Sequence, residues 1–464
     1  MGLSLGFHGA ARTVTGSRYL IDSDDTRTVI DAGLFQGYRK LRKLNWRNFP
    51  FEASSVDQVL LTHAHIDHIG LLPRMVKNGF SGNVFTTHAS IELAQLLLLD
   101  SARIQEEDAA YANKKGYSKH KPALPLYTSE DAEQAISLLR PVEFNQWLEI
   151  NKNCKARYQP AGHILGASSV EVHYNNANKS CRILFSGDIG RYDMPLHIDP
   201  YPRPDCDILI CESTYGNRDH DRSVSVEDQL CLAIKDTIKR KGTVLIPAFA
   251  VGRSQQLTLI LRRLMKSGKL PKVPLHLDSP MAVDATGIYG RYLNEHHLDK
   301  DIFKDGRDKL FPDSVTLHRS RDESMALNKL QGPRIIISAS GMLSGGRVIH
   351  HLSRLVSKSK NTIIMAGYQA PGTRGRDLLE GKPTIRIHGK EFIAKAQVKS
   401  ISGLSAHADR MELFRWLKSN DTSPDRVYLT HGEPEAAFAF ADQITRDLGW
   451  KVQVPSLDYK VNLL

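Results

Sequence analysis

The chain has 464 residues, 41% of them hydrophobic and 24% charged. That balance excludes a largely disordered polymer, and at ~150 residues per domain the length accommodates about three domains whose cores need no disulfides. Lysine and arginine number 62 against 51 acidic residues, and the formal net charge of +11 points to a polyanion, either nucleic acid or an anionic membrane surface.

The first residues, MGLSLGFHGAARTVTG, lack the apolar stretch of a signal peptide, and Gly6 stands where N-myristoylation favours Ser or Thr. Residues 17–21 and 28–30 read as strands around the polar turn 22–25, and 56–61 as a further strand feeding a His-rich loop. Helical spacing covers 69–78, with Gly79 as C-cap, and 91–110. The longest apolar run, 96–99, is far too short to span a bilayer, so no membrane is expected and nucleic acid remains. A basic loop follows with Lys114, Lys115, Lys119, His120 and Lys121; Thr128 or Ser129 then caps a helix that stops before Pro141. Strand-like segments return at 181–185 and 208–211.

Beyond residue 212 helices and strands alternate. Helix 226–241, strand 243–246, helix 254–267 and strand 273–277 are followed by strand 334–338, a Gly-rich loop, helix 348–356 and strand 362–365. Such alternation predicts a parallel α/β sheet. Helix 410–419, strand 426–429 and helix 434–448 return to the earlier style. Leu60-Leu-Thr-His63 and Tyr428-Leu-Thr-His431 echo each other, as two similar halves would produce. The five cysteines, Cys154, Cys181, Cys206, Cys211 and Cys231, are odd in number and contain no Cys-x-x-Cys pair, which argues against a disulfide framework or zinc ribbon and for a reducing cytoplasm.

The densest chemical signal is Thr62-His63-Ala64-His65-Ile66-Asp67-His68, directly after an apolar strand. On extended backbone His63 and His65 point the same way, while Asp67 and His68 fall where a helix begins and turn toward a second position. Imidazole and carboxylate donors suit zinc. A solvated polar cluster is the bland alternative, and this spacing at a strand end disfavours it. Further candidates each follow a strand among small residues: His163 in Pro160-Ala-Gly-His163, Asp188 in Phe185-Ser-Gly-Asp188, and His431 in Leu429-Thr-His431-Gly. Small neighbours let the backbone approach closely. His63, His65 and His163 would hold one ion, Asp67, His68 and His431 another, with Asp188 bridging. Two zinc ions per chain are therefore expected, each with an open position.

With these residues in place the sequence resembles the metallo-β-lactamase superfamily, and in particular its β-CASP nucleases. Glu212 in Cys211-Glu-Ser-Thr-Tyr-Gly216 is similar to the family's motif A, His407 in Ser405-Ala-His407-Ala-Asp to motif B, and His431 to motif C. Pro247-Ala-Phe-Ala-Val-Gly-Arg253, Asp278-Ser-Pro-Met-Ala282, Ser338-Ala-Ser-Gly-Met342 and Gly367-Tyr-Gln369 extend the likeness over essentially the whole chain. The resemblance implies an αββα metallo-β-lactamase sandwich over 1–210 and 390–464. An α/β β-CASP domain would be inserted at 211–389, with the active site in the cleft between the two. Resembling RNA-processing members carry His at the position of His431, where the DNA-repair branch carries Val. Neither the KH region of archaeal members nor the C-terminal domain of the RNase J group is expected.

The implied activity is zinc-dependent hydrolysis of phosphodiesters in single-stranded RNA, endonucleolytic, 5′-exonucleolytic or both, leaving 5′-phosphate and 3′-hydroxyl ends. Two cations ~3.5–4 Å apart would activate the attacking water, and Asp67 would orient it as well as ligate. His407 would protonate the departing sugar oxygen, because imidazole titrates near neutrality. The resemblance pairs Glu212 with His407. The loop 340–346 offers backbone N–H groups to a phosphate, making Ser340 and Gly341 candidate substrate contacts. Arg253, Arg347, Arg374 and Arg376 are candidates for backbone phosphates, Tyr368 for stacking on a base. His88, His120, His350 and His351 have no partner in the motifs and read as structural. Single-stranded DNA is the nearest alternative substrate. An inactive RNA-binding scaffold is disfavoured by the complete ligand set, and a small-molecule hydrolase by the insertion, Glu212 and His407. A homodimer is a further state left open.

Overall fold

Short strands from the two ends of the chain build two seven-stranded sheets. One runs Tyr459–Asn462, Ser4–Phe7, Tyr19–Asp22, Arg27–Ile30, Gln58–Leu60, Asn83–Thr87 and Leu139–Val142. The other runs Val452–Gln453, Arg426–Thr430, Ile208–Glu212, Lys179–Phe185, Ser168–Asn176, Cys154–Pro160 and Trp147–Asn151. Each sheet is antiparallel on one side and parallel on the other. Their inner faces share one core, in which Leu5, Phe7, Tyr19 and Ile30 meet Val170, Ile183, Phe185, Ile210 and Tyr428. The Phe7 and Tyr428 rings lie 5.0 Å apart, and the Tyr19 hydroxyl donates to Thr430 Oγ1 at 2.9 Å across the sandwich. Helix His88–Lys115 covers the first sheet and helix Pro434–Leu448 the second, giving αββα layers.

This computed structural model describes residues 2–23, 25–116, 118–176, 179–221, 223–297 and 315–464. Asp24 of the 22–25 turn lies outside them. The chain forms two compact units, Met1–Asp219 with His407–Leu464, and His220–Ala406. Both breaks fall later than the expected 210 and 389. Ile208–Glu212 is an interior strand of the second sheet, hydrogen-bonded in parallel to Lys179–Phe185 and Arg426–Thr430, so it belongs to the first unit. Gln397–Ser400 pairs with Thr362–Met365 and so belongs to the second. That second unit holds a six-stranded sheet, parallel throughout: Val315–Leu317, Leu275–Asp278, Arg334–Ser338, Thr243–Pro247, Thr362–Met365, Gln397–Ser400. Strand Arg334–Ser338 is buried along its whole length, the signature of a parallel strand covered on both faces.

Several local expectations change. The helix expected over 69–78 is two pieces, Ile66–Ile69 and Leu72–Lys77. Pro73 cannot continue the first piece but suits the opening turn of the second. The helix expected over 91–110 runs from His88 to Lys115, capped by the Thr87 side chain and closed by Gly116 in the left-handed region. Lys114 and Lys115 are therefore its last turn, not loop. The strands Trp147–Asn151, Cys154–Pro160 and Ser168–Asn176 carry polar residues on alternate positions, which hid them as apolar runs. Among the described residues no helix is long and apolar enough to cross a membrane, and all five cysteines are buried thiols.

Candidate metal centre

The His-rich loop is held by backbone contacts before any ligand binds. Leaving strand Gln58–Leu60, it is stitched to residues 31–34: Ala32 N–H donates to His68 O at 2.6 Å and Leu34 N–H to Ile66 O at 3.0 Å. Ser17 N–H donates to Asp67 O at 2.8 Å, and a Cβ on Gly33 would come within 1.7 Å of that same oxygen. The Asp188 loop packs as tightly on the His163 loop: Gly190 N–H donates to Ala161 O at 2.7 Å, and a Cβ on Gly190 would lie 2.0 Å from Gly162 O.

These loops bring the seven candidate ligands together in two sets. His65 Nδ1 lies 3.1 Å from both His63 Nε2 and His163 Nε2, and Asp188 Oδ2 lies 3.5 Å from the first and 3.4 Å from the second of those Nε2 atoms. In the other set, His68 Nε2 is 3.2 Å from His431 Nε2 and 3.3 Å from Asp188 Oδ1, while Asp67 Oδ2 is 3.5 Å from His431 Nε2. Donors ~2.0–2.1 Å from a shared tetrahedral centre stand ~3.3–3.4 Å apart, close to the distances within the first set; His63, His65, His163 and Asp188 form one four-donor group, and Asp67, His68 and His431 a three-donor group. Asp188 Oδ2 faces the first group, and Asp188 Oδ1 faces His68 of the second. Its Oδ1 is buried without a hydrogen-bond partner despite nitrogens at 3.3 and 3.6 Å, as expected of a lone pair aimed at a common centre rather than at a proton. The residues present thus fit two divalent cations.

Electrostatics agree with that reading for the imidazoles of the first set. Burial holds His63 and His163 well below the usual imidazole range and His65 down at about 4, reinforced for His63 and His163 by neighbouring imidazoles. Neutral imidazole is the form that ligates. Burial would raise Asp188, but His431 and His68 beside it hold the carboxyl well below its usual range. His68 behaves oppositely: burial pushes it down, and the Asp188 and Asp31 carboxylates outweigh that and push it well up.

The residues behind the ligands carried no readable signal. Asp31 Oδ2 accepts from His68 Nδ1 at 2.7 Å, and Asp31 Oδ1 from the Thr62 backbone N–H at 2.8 Å. Thr62 Oγ1 is 3.1 Å from His63 Nδ1, and Thr214 Oγ1 is 3.1 Å from His431 Nδ1. Each contact fixes the ring and leaves Nε2 for the metal. Asp31 and His431 both sit at positive φ, +57° and +50°, a strain of ~1–3 kcal/mol that persists only where the surroundings over-determine it. Asp31→Ala is therefore expected to weaken metal binding ~10–100-fold with the fold intact, checked by titrating zinc against a chromophoric chelator.

Glu212 ends its strand directly behind this centre. Its Oε1 accepts from Ile189 N–H at 2.6 Å and lies 3.3 Å from His407 Nδ1. The Ile189 carbonyl in turn accepts from Ala408 N–H at 2.8 Å, so one peptide beside Asp188 ties Glu212 to the His407 segment. Burial opposes a charge on His407, but Glu212 and Asp188 outweigh it and raise its pKa to about 9. Its Nδ1 stands 3.9 Å from Asp188 Oδ2, at the edge of the ligand cluster.

The candidate substrate contacts all lie in the second unit, and three of them turn inward. Arg347 Nη1 donates to Asp278 Oδ1 at 2.8 Å and its Nη2 to Arg319 O at 2.7 Å. Arg374 donates to Arg386 O at 2.7 Å and to Leu343 O and Ser344 O at 3.0 and 3.1 Å. Arg253 is buried and donates to the Gln256 side chain. All three guanidinium groups thus have partners within the unit, with Arg253 buried and Arg347 and Arg374 half-buried. Ser340 accepts from Ser344 N–H at 3.1 Å within the 339–346 turn, Gly341 is buried against Phe249, and Tyr368 is half-buried. His351, read as structural, is buried with Nε2 2.7 Å from Asp278 Oδ2.

Residues 12–216 match the family described as the Metallo-beta-lactamase superfamily, 254–378 the Beta-Casp domain, and 394–455 the Zn-dependent metallo-hydrolase RNA specificity domain. Ribonuclease TTHA0252 of Thermus thermophilus is 33% identical over 434 residues, 93% of this chain and 93% of its own length. The transcription termination factor FttA of Methanocaldococcus jannaschii is 31% identical over 467 residues, 98% of this chain and 70% of its own. An RNase J-like protein of that organism is 30% identical over 457 residues, 97% of each chain. A crystal structure of a protein of unknown function from Enterococcus faecalis shares the fold over 100% of both chains, with a TM-score of 0.51 at 12% identity.

Proposed function

Because the chain belongs to the β-CASP family of the metallo-β-lactamase superfamily, we propose that it hydrolyses phosphodiester bonds of single-stranded RNA at a two-zinc centre, leaving 5′-phosphate and 3′-hydroxyl ends. The observation that carries the proposal is the Asp188 carboxylate, whose Oδ2 faces His63 and His163 while its Oδ1 faces His68. The similarity to a ribonuclease over nearly its full length supports RNA as substrate.

Divalent cations, when held by these residues, would supply Lewis acidity that offsets charge on the phosphoryl oxygens and eases loss of a proton from the attacking water to solvent. Asp67, whose side chain is 20% exposed, orients the attacking water in line with phosphorus. As the new oxygen–phosphorus bond forms, the bond from phosphorus to O3′ breaks. His407, 17% exposed, delivers the Nε2 proton to that departing oxygen, which becomes the 3′-hydroxyl. Glu212 accepts the hydrogen bond from Nδ1 and so keeps Nε2 directed at the substrate.

End-labelled single-stranded RNA and DNA, incubated with purified zinc-loaded protein, test this. RNA is expected to shorten to products with 5′-phosphate and 3′-hydroxyl ends, with loss of activity on chelation and recovery on adding zinc. A ladder of fragments marks internal cutting, and mononucleotides mark trimming from the 5′ end. Intact RNA with zinc-loaded protein, or cleavage that survives chelation, overturns the reading.

A further inference from the structure

We propose that residues 38–47 of the first unit form a track for single-stranded nucleic acid leading away from the metal centre. The proposal rests on the hydrolytic reading for its choice of partner, and on the following features for the surface itself. Arg39, Lys40, Arg42, Lys43 and Arg47 occupy five of nine consecutive positions, and no acidic residue occurs between Asp31 and Glu52. All five are exposed, as are Tyr38 at 46% and Trp46 at 55%. Arg47 is paired with Asp458 at 2.7 Å and Lys40 Nζ lies 5.7 Å from the Tyr38 ring centroid; no described carboxylate lies within salt-bridge distance of Arg39, Lys40, Arg42 or Lys43.

Helix Arg39–Leu44 buries no residue, so neither a hydrophobic face nor its six-residue length explains its order. It is held at its end instead. Arg74 donates to the carbonyls of Asn45, Trp46 and Arg47, and the Asn45 side chain pairs with both the N–H and the carbonyl of Phe35 at 2.8 Å. The Phe49 ring lies under two guanidinium groups, those of Arg18 at 5.1 Å and Arg74 at 5.4 Å. Arg18 is itself buried, with Nε and Nη1 lacking hydrogen-bond partners, and places a further guanidinium beneath the surface. The molecule thus holds a cationic strip with two outward aromatics on a fixed frame.

Cations interleaved with exposed aromatics suit a strand of nucleotides, whose phosphates meet the charges while bases stack on the rings. An acidic protein would use the charges and leave the rings idle. The strip also begins at the right place. Leu34 is hydrogen-bonded to the ligand loop through Ile66 O, and Tyr38 follows by four residues, a reach of no more than ~14 Å. An RNA held at the metals meets the strip within a few nucleotides.

Two variants test the track. One combines Arg39→Ser, Lys40→Ser, Arg42→Ser and Lys43→Ser; the other is Trp46→Ala, with Trp46→Phe as its conservative control. RNA affinity is read in a His407→Ala background to suppress cleavage. The slope of log affinity against log salt should shrink by ~0.7 for each phosphate that the strip no longer neutralises. Trp46→Ala should weaken binding roughly tenfold and Trp46→Phe much less. In otherwise unaltered protein, KM for long RNA should rise while kcat at saturation holds, and oligonucleotides too short to reach the strip should be cut as before. Unchanged affinity and salt slope overturn the proposal. So does a combined variant that keeps RNA binding but loses binding to poly-glutamate, which would mark a protein-docking face. Unaltered protein that binds RNA through the strip yet never cleaves it leaves the track standing and removes the hydrolytic reading.

Discussion

Asp188→Ala is expected to lower zinc content from two ions per chain to less than one and RNA cleavage by ~10⁴-fold or more. The other ligand candidates each serve one set, whereas Asp188 serves both, through Oδ2 to His63 and His163 and through Oδ1 to His68. Its removal also leaves His63, His65, His68, His163 and His431 packed together with the main negative charge gone, so bound cations repel each other without screening. Asp188→Asn retains the shape but loses that charge, and should recover at most one ion. Elemental analysis and single-turnover cleavage on the same preparations check both. Two retained ions with parental cleavage would show that Asp188 does not bridge.

His407→Ala separates proton transfer from metal binding. It should keep both ions while the chemical step slows ~10²–10⁴-fold, the usual worth of a general acid. Its Nδ1 is engaged with Glu212, although the ring also comes together with Asp188 and His431 as a possible donor group, so metal content is read alongside the rate. A substrate whose leaving group is a good one needs little protonation, so it should recover much of the lost rate. The same substrate should recover little in His431→Ala, where the donor set itself is damaged. Loss of zinc from His407→Ala would instead make His407 a ligand, a role its 3.9 Å distance to Asp188 Oδ2 makes worth testing.

The chemistry was most legible where donors cluster in sequence or end a strand. His63, His65, Asp67 and His68 announce themselves by spacing, and His163, Asp188 and His431 by small neighbours after β-type runs. Asp31, Thr62 and Thr214 act on the far nitrogen of an imidazole, a relation of space that leaves no spacing in the chain. The arginines show the converse relation. Arg347 and Arg374 look like surface cations in sequence, and only the fold reveals the Asp278 carboxylate and loop carbonyls they brace. The parallel sheet of the second unit was readable because its strands are continuous apolar runs, while Cys154–Pro160 was not, since every second residue faces outward. The Leu-Thr-His echo proved looser than it looked. Gln58–Leu60 is second in its sheet's parallel series and Arg426–Thr430 third in its own, so similar halves exist but these strands are not counterparts.

The order of synthesis acquires meaning from the insertion. His407 and His431 both follow the unit His220–Ala406, and Arg426–Thr430 is an interior strand lying between Ile208–Glu212 and Val452–Gln453. A chain emerging from the ribosome carries His63, His65, His163 and Asp188 early, enough to capture one cation. Of the second set it holds Asp67 and His68 but not His431, and it lacks His407, until the whole insertion has been made and the returning strand has closed the sheet. An incomplete chain is therefore a metal binder without a catalytic centre, and translation that stops inside the insertion yields no nuclease.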